Sequence, residues 1–175
     1  MCVIIVKPEG VKLPSTSILN AAHAANPHGC GFVTPDGIYK TLDFDAFKRR
    51  LASVSEDDPC IIHFRYATHG SVKTANCHPF KKGDVCFAHN GVLNIKPIGD
   101  TTDSETAFKT VIYPAIAKYG LFSKATEDVV LNLIGHSKFA IMQGSSIRLF
   151  GDFRKLRDNC YYSNFNFLSW LKFYN

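Results

Sequence analysis

Short apolar runs of strand length are scattered from one end of this chain to the other, and the stretches between them carry helical spacing. That pattern constrains the fold more than any other feature. Val3–Val6, Cys60–Arg65, Val85–His89, Lys138–Gln143, Ser146–Phe150 and Cys160–Phe165 each read as a strand. Cys30–Thr34 and Ile38–Thr41 flank Pro35-Asp36-Gly37, which is turn chemistry suited to a hairpin. Helices are expected at Ser15–Ala25, with Ser15 or Thr16 as N-cap, and at Asp43–Val54, where Phe44, Phe47, Leu51 and Val54 share one face. The strongest stripe runs from Asp103, a plausible N-cap, to Tyr119. Pro114 interrupts it and should kink or split the helix. Thr126–Ile134 closes at Gly135, and Leu168–Tyr174 is a short amphipathic end. Helices are too few and too irregularly placed for a βαβ repeat, so a mixed α+β domain with mostly hairpin-connected strands follows.

A length of 175 residues suits one domain, residues 1–175, with a hydrophobic core that needs no metal or disulfide staple. The net charge of +5 comes from scattered Lys and Arg with short clusters such as Lys48–Arg50, so a solvated surface is expected and no nucleic-acid partner. No run approaches a membrane span, and the start lacks the basic region of a signal peptide. Six cysteines are then expected as free thiols in a reducing, cytoplasmic setting.

Three segments carry chemistry. Cys2 follows Met1, which is commonly removed before a small residue. The exposed α-amine, with a pKa of about 7.7–8.0, then stands beside a thiol of about 8.5 and serves as its base. His63-Phe64-Arg65-Tyr66-Ala67-Thr68-His69-Gly70 ends an apolar strand in an arginine suited to pairing with a carboxylate, equally compatible with a structural ion pair. His89-Asn90-Gly91 reads first as a hairpin turn. Its Asn amide and the following backbone N–H are also adjacent donors, capable of holding an oxyanion.

Taken in order, Met1-Cys2, His63–Gly70, Asn76-Cys77-His78-Pro79, His89–Gly91 and Asp103-Ser104-Glu105 resemble the motif series of the class II glutamine amidotransferases, which are N-terminal-nucleophile (Ntn) hydrolases. Asn26–Gly31 and Tyr161–Asn164 are weaker echoes of the same family. The resemblance implies an αββα four-layer sandwich with two largely antiparallel sheets, and a mature chain starting at Cys2. It implies L-glutamine as substrate, with no cofactor. Cys2 would attack the side-chain amide, and Asn90 with Gly91 would form the oxyanion hole. Arg65 would bind the α-carboxylate and Asp103 the α-ammonium. Tyr66, Thr68 and His69 would line the loop over the substrate, supported by His78. Ammonia would leave to solvent or to a separate acceptor synthase subunit, since 175 residues leave no room for an acceptor domain. The chain departs from the family at Val3, where glycine is usual, and at His28, where the family turn often carries Asp.

Three other readings compete. Cys60-x-x-His63, Cys77-His78 and Cys86-x-x-His89 have metal-ligand spacing, but residues three apart on a strand face opposite ways. The fold could also serve another amide, or bind without catalysis.

Overall fold

Strand β1 (Val3–Lys7) occupies the interior of a six-stranded sheet, and its side chains divide between two cores. Successive strand residues point to opposite faces. Val3 and Ile5 join one apolar cluster with the helices on the outer side, and Ile4 and Val6 join another between the two sheets. The computed structural model describes residues 2–67 and 70–174.

The first sheet is ordered β3-β2-β4-β1-β10-β9 and is antiparallel throughout, with β2 Cys30–Thr34, β3 Gly37–Thr41, β4 Cys60–Phe64, β9 Arg154–Lys155 and β10 Tyr161–Tyr162. The second is ordered β5-β6-β7-β8, also antiparallel, with β5 Phe80–Lys82, β6 Val85–Asn90, β7 Lys138–Gln143 and β8 Ser146–Phe150. Helices α1 (Thr16–Ala25) and α2 (Phe44–Leu51) cover the outer face of the first sheet, packing Leu19, Ala22, Phe47 and Leu51 on Phe32, Ile62 and Phe64. On the outer face of the second, Phe87, Phe139 and Ile141 meet α3 (Asp103–Ala107), α4 (Tyr113–Tyr119) and α5 (Lys124–Ile134) through Ala107, Ile116 and Val130. A last short helix, α6 (Leu168–Leu171), lies against α1. Between the sheets Ile4, Val6 and Ile61 meet the smaller Cys86, Ala88 and Ala140. The result is the four-layer αββα sandwich that the motifs imply.

Several boundaries differ from the sequence reading, each for a local reason. Thr102, not Asp103, caps α3, its hydroxyl accepting from the Glu105 N–H at 3.1 Å. The long stripe to Tyr119 is split by a π-helical turn at Phe108–Ile112, just ahead of Pro114. Proline supplies no N–H and crowds the carbonyl four residues earlier, and a widened turn relieves both problems. Helix α2 stops at Leu51, three residues short of Val54. Strand β10 is limited to Tyr161–Tyr162, because the next link to β1 runs partly through a side chain: the Ile4 N–H donates to Ser163 Oγ at 2.8 Å. Strand β5 was not foreseen at all. Its Lys81 and Lys82 are exposed, as suits a sheet edge. Asn90-Gly91 is not a hairpin turn, since β6 pairs with β5 and β7 and the chain leaves the sheet at Gly91.

Lys7 is fully buried at the end of β1, and its Nζ donates to the carbonyls of Pro8, Glu56 and Asp58 at 3.3, 2.6 and 2.6 Å. These bonds use all three ammonium protons and tie the segment before β4 to β1. Lys7→Met keeps the stem but strands three partly buried carbonyls, so a loss of about 2 kcal/mol is expected. Urea unfolding checks it as a lower midpoint with an unchanged slope.

No helix among the described residues is long and apolar enough to cross a membrane.

Candidate active site

Strand register brings the motif residues together. On β6, His89 points to the helical side, while Asn90 points to the inner face with Cys86 and Ala88. Across from Asn90, Cys2 precedes β1 and Ser163 follows β10. Asn90 Nδ2 donates to Ser163 Oγ at 3.0 Å, and Asn164 Nδ2 donates to the Cys2 carbonyl at 2.6 Å. The start of the chain is thus fixed by the strand that ends near residue 164. Gly91 has φ +144°, and a Cβ there would lie 2.2 Å from Ser137 Oγ, so glycine is required where β6 leaves the sheet.

The Cys2 sulfur is held by the backbone of Tyr66. The Tyr66 N–H donates to Sγ at 3.3 Å, and the thiol points back to the Tyr66 carbonyl at 3.6 Å. Burial raises the thiol pKa, against the lowering effects of the Tyr66 amide and of Arg65. At neutral pH the group is therefore a thiol that needs a base.

Arg65 is 4% exposed at the end of β4. Its backbone N–H donates to the Gly29 carbonyl at 2.8 Å, and its Nη1 donates to the Ser71 carbonyl at 3.0 Å, which also accepts from Asn76 Nδ2. Asp103 opens α3. Its Oδ2 accepts from the Leu93 N–H at 2.9 Å and its Oδ1 from the Ser104 N–H at 2.8 Å. Helix and following-strand loops are thereby pinned around one carboxylate. Cys2, Arg65, Tyr66, His78, Gly91 and Asp103 all line one polar pocket of about 50 Å³, and Asn90 stands beside it. Thr68 and His69 lie outside the described residues.

Two buried imidazoles, His78 and His89, line the pocket, and a third, His63, packs against His78. His63 and His78 have ring centroids 4.3 Å apart, and His89 Nδ1 lies 2.7 Å from Ser104 Oγ. Burial lowers all three pKa values, to about 3 for His63 and about 4 for His89, where Asp103 partly opposes the shift. Burial thus favours their neutral forms, leaving Arg65 as the cationic side chain among the described residues that line the pocket. His78 packs on His63 and Phe80. His28 also bonds the Tyr66–Ala67 segment: its Nδ1 accepts from the Ala67 N–H at 2.9 Å, and its ring lies 5.1 Å from that of Tyr66. His28 had stood out only as a departure from the family turn. Ser163 and Asn164 gave no more signal than a late Tyr-Ser echo.

The metal-ligand reading does not survive the pleat. Cys60 packs toward the helices while His63 faces inward, and Cys86 faces inward while His89 faces the helices. Among the described residues, no three His, Cys, Asp or Glu side chains are placed to hold a metal ion. A separate cavity of about 300 Å³ beside Tyr39, Arg50 and Asp58 is lined by none of the motif residues.

A sandwich of this architecture, with a cysteine at the head of an inner strand, defines the Ntn-hydrolase class. Within it, this chain belongs to the class II glutamine amidotransferases, whose family model matches residues 52–164. The chain is similar to the glutamine–fructose-6-phosphate aminotransferase (isomerizing) of Lactiplantibacillus plantarum, at 29% identity over 110 residues, which is 56% of this chain and 18% of that protein. It also resembles a probable glutamine amidotransferase of Saccharomyces cerevisiae, at 41% identity over 49 residues, or 27% of this chain and 14% of the other. Among solved structures, the glutamine phosphoribosylpyrophosphate amidotransferase of B. subtilis superposes with a TM-score of 0.61 at 20% identity, covering 93% of this chain and 41% of that one. An allosteric regulatory enzyme of purine biosynthesis gives 0.57 at 18% identity. The chain thus spans less than a fifth of these curated relatives and about two fifths of the solved chains.

Proposed function

We propose that this chain hydrolyses the side-chain amide of L-glutamine through Cys2, once Met1 is removed. The observation that carries the reading is the placement of Cys2 on the wall of one pocket with Arg65 and Asp103, next to Asn90 and Gly91. A free amino acid presents a carboxylate and an ammonium at one end, and Arg65 and Asp103 offer the complementary charges. The exposed Tyr66 and Val92 must swing aside for glutamine to enter so small a pocket.

Cys2 then adds through sulfur to the amide carbon. Its α-amine takes the thiol proton and returns it to the departing ammonia. Asn90 and the Gly91 N–H receive the developing negative charge. Water hydrolyses the γ-glutamyl thioester, giving glutamate and the free thiol. The protein uses its own groups for every step, and a thiol nucleophile suits the reducing cytoplasm. Ammonia passes to solvent or to a separate acceptor synthase subunit.

The test is the intact mass of the purified protein before and after exposure to a glutamine-mimicking diazoketone. One adduct on a chain lacking Met1, absent in Cys2→Ala and blocked by glutamine, is the expected result. A processed chain that takes no label overturns the reading.

Arg65 gives a finer check. Arg65→Lys keeps the charge but loses the planar fork. The expected effect is a rise in KM for glutamine of roughly tenfold or more, from the loss of a charge-assisted hydrogen bond, with kcat changed far less. Steady-state kinetics across a range of glutamine concentrations measures both.

A further inference from the structure

Cys2 borders a second cavity, whose near wall carries the oxyanion donors Asn90 and Gly91 and whose far walls the glutaminase reaction does not use. It has a volume of about 450 Å³ and shares Cys2, Tyr66, Gly91 and Val92 with the polar pocket. Its remaining walls come from Asn90, Asn94, the end of α5 at Leu133 and Ile134, and the loop 135–137 with His136 and Ser137.

The tetrahedral centre formed at Cys2 has four substituents. One is the sulfur. The oxygen goes to Asn90 and Gly91. The glutamyl chain enters the polar pocket toward Arg65 and Asp103. The leaving nitrogen is directed away from the polar pocket, and the second cavity is the space beside Cys2 on that side, beyond the oxyanion donors. Ammonia is about the size of a water molecule, whose share of volume is about 30 Å³. The cavity exceeds that many-fold and falls in the range of small-molecule sites, about 300–1,000 Å³.

We propose that this cavity is a leaving-group subsite, and that the protein also cleaves γ-glutamyl amides whose nitrogen carries an apolar substituent. The inference rests on the proposed role of Cys2. Val92, Leu133 and Ile134 supply apolar wall, and among the described residues no Lys, Arg, Asp or Glu lines the cavity. An uncharged aliphatic or aromatic amine fits these walls. An amino acid or peptide amine does not, because its carboxylate would be desolvated without a partner. In the reaction the C–N bond breaks as the C–S bond forms, the Cys2 α-ammonium protonates the departing amine, and water releases glutamate from the thioester. The balance is amide plus water giving glutamate plus amine.

The experiment compares L-glutamine, γ-L-glutamyl-4-nitroanilide and γ-L-glutamylglycine on the full, processed chain. The wild type is expected to turn over the anilide with kcat/KM at least equal to that for glutamine, and to turn over γ-glutamylglycine roughly tenfold or more slowly than the anilide. Asn94 and His136 are both exposed. The double variant Asn94→Trp/His136→Trp therefore fills the cavity from its rim without disturbing the core. It is expected to lose roughly tenfold or more on the anilide while glutamine hydrolysis and diazoketone labelling are unchanged. Anilide turnover far below that of glutamine, or insensitive to the two tryptophans, overturns the subsite. Faster cleavage of γ-glutamylglycine than of the anilide overturns the apolar assignment. Absence of labelling with all substrates inert overturns the nucleophile itself, a result distinct from the others.

Discussion

Cys2→Ser is expected to lower glutamine turnover by roughly a thousandfold or more, as loss of a nucleophile does in other hydrolases. The substitution is small in volume, so the β1 ladder and the Asn164 bond to the residue 2 carbonyl survive. What changes is acidity. The native thiol is already pushed up by burial, yet it remains within reach of an α-amine of pKa about 7.7–8.0. A serine hydroxyl is far less acidic, and the same amine cannot deprotonate it usefully. The pH profile follows from the same pairing. The amine must be unprotonated to act as base, so kcat/KM is expected to rise with pH through the amine's pKa and to fall below it. A chain that keeps Met1 moves the amine one residue away and should lose both turnover and diazoketone labelling. Turnover of Cys2→Ser within tenfold of the native chain would remove Cys2 from the mechanism.

Asn90→Ala is the second large effect. An oxyanion-hole donor is worth about 2.7–4 kcal/mol, so kcat should drop roughly a hundredfold or more with KM little changed. As placed, the Asn90 amide donates to Ser163 Oγ and leaves a buried Oδ1 without a partner among the protein atoms. Turning the amide by half a rotation resolves this. The Ser163 hydroxyl, already accepting from the Ile4 N–H, then donates to Oδ1, and both Nδ2 protons become available to the reacting oxygen. Asn90→Asp sharpens the test. It keeps the shape but faces the developing oxyanion with an acceptor, so it should be at least as damaging as alanine. Near-native kcat in either variant, measured with the fold verified by unfolding midpoint, would remove Asn90 from the site.

Much of the fold was legible because strand signals here are local. Val3–Lys7, Lys138–Gln143 and Ser146–Phe150 are apolar or alternating runs, and their ends agree with the sequence to within a residue. Phe80–Lys82 escaped because two of its three residues are exposed lysines, and only pairing with Val85–Phe87 makes it a strand. The late strand was overestimated because Ser163 bonds through its side chain, which no propensity registers. At the site, Cys2, Arg65, Asn90 and Asp103 were each visible within a short motif. Two kinds of feature were not. His28, Ser163 and Asn164 act by side-chain bonds to residues 39, 73 or more and 162 positions away in sequence. The cavity by Leu133 and His136 is empty space, and a sequence carries no mark for space between distant segments.

The Ser163 hydroxyl belongs to the first sheet through Ile4 and to the second through Asn90. It works as a rivet between two plates that are otherwise joined at this end by the 3.2 Å hydrogen bond between His63 Nε2 and the His89 carbonyl and by side-chain packing. The distance from sulfur to oxyanion site is then set by the spacing of the plates together with the Tyr66 backbone that holds the sulfur. Any slippage between plates would be felt at once as a change in reactivity. Conversely, exposed positions beside the second cavity, such as Asn94 and His136, are free to change for new acceptors or new leaving groups without recalibrating the chemistry beneath.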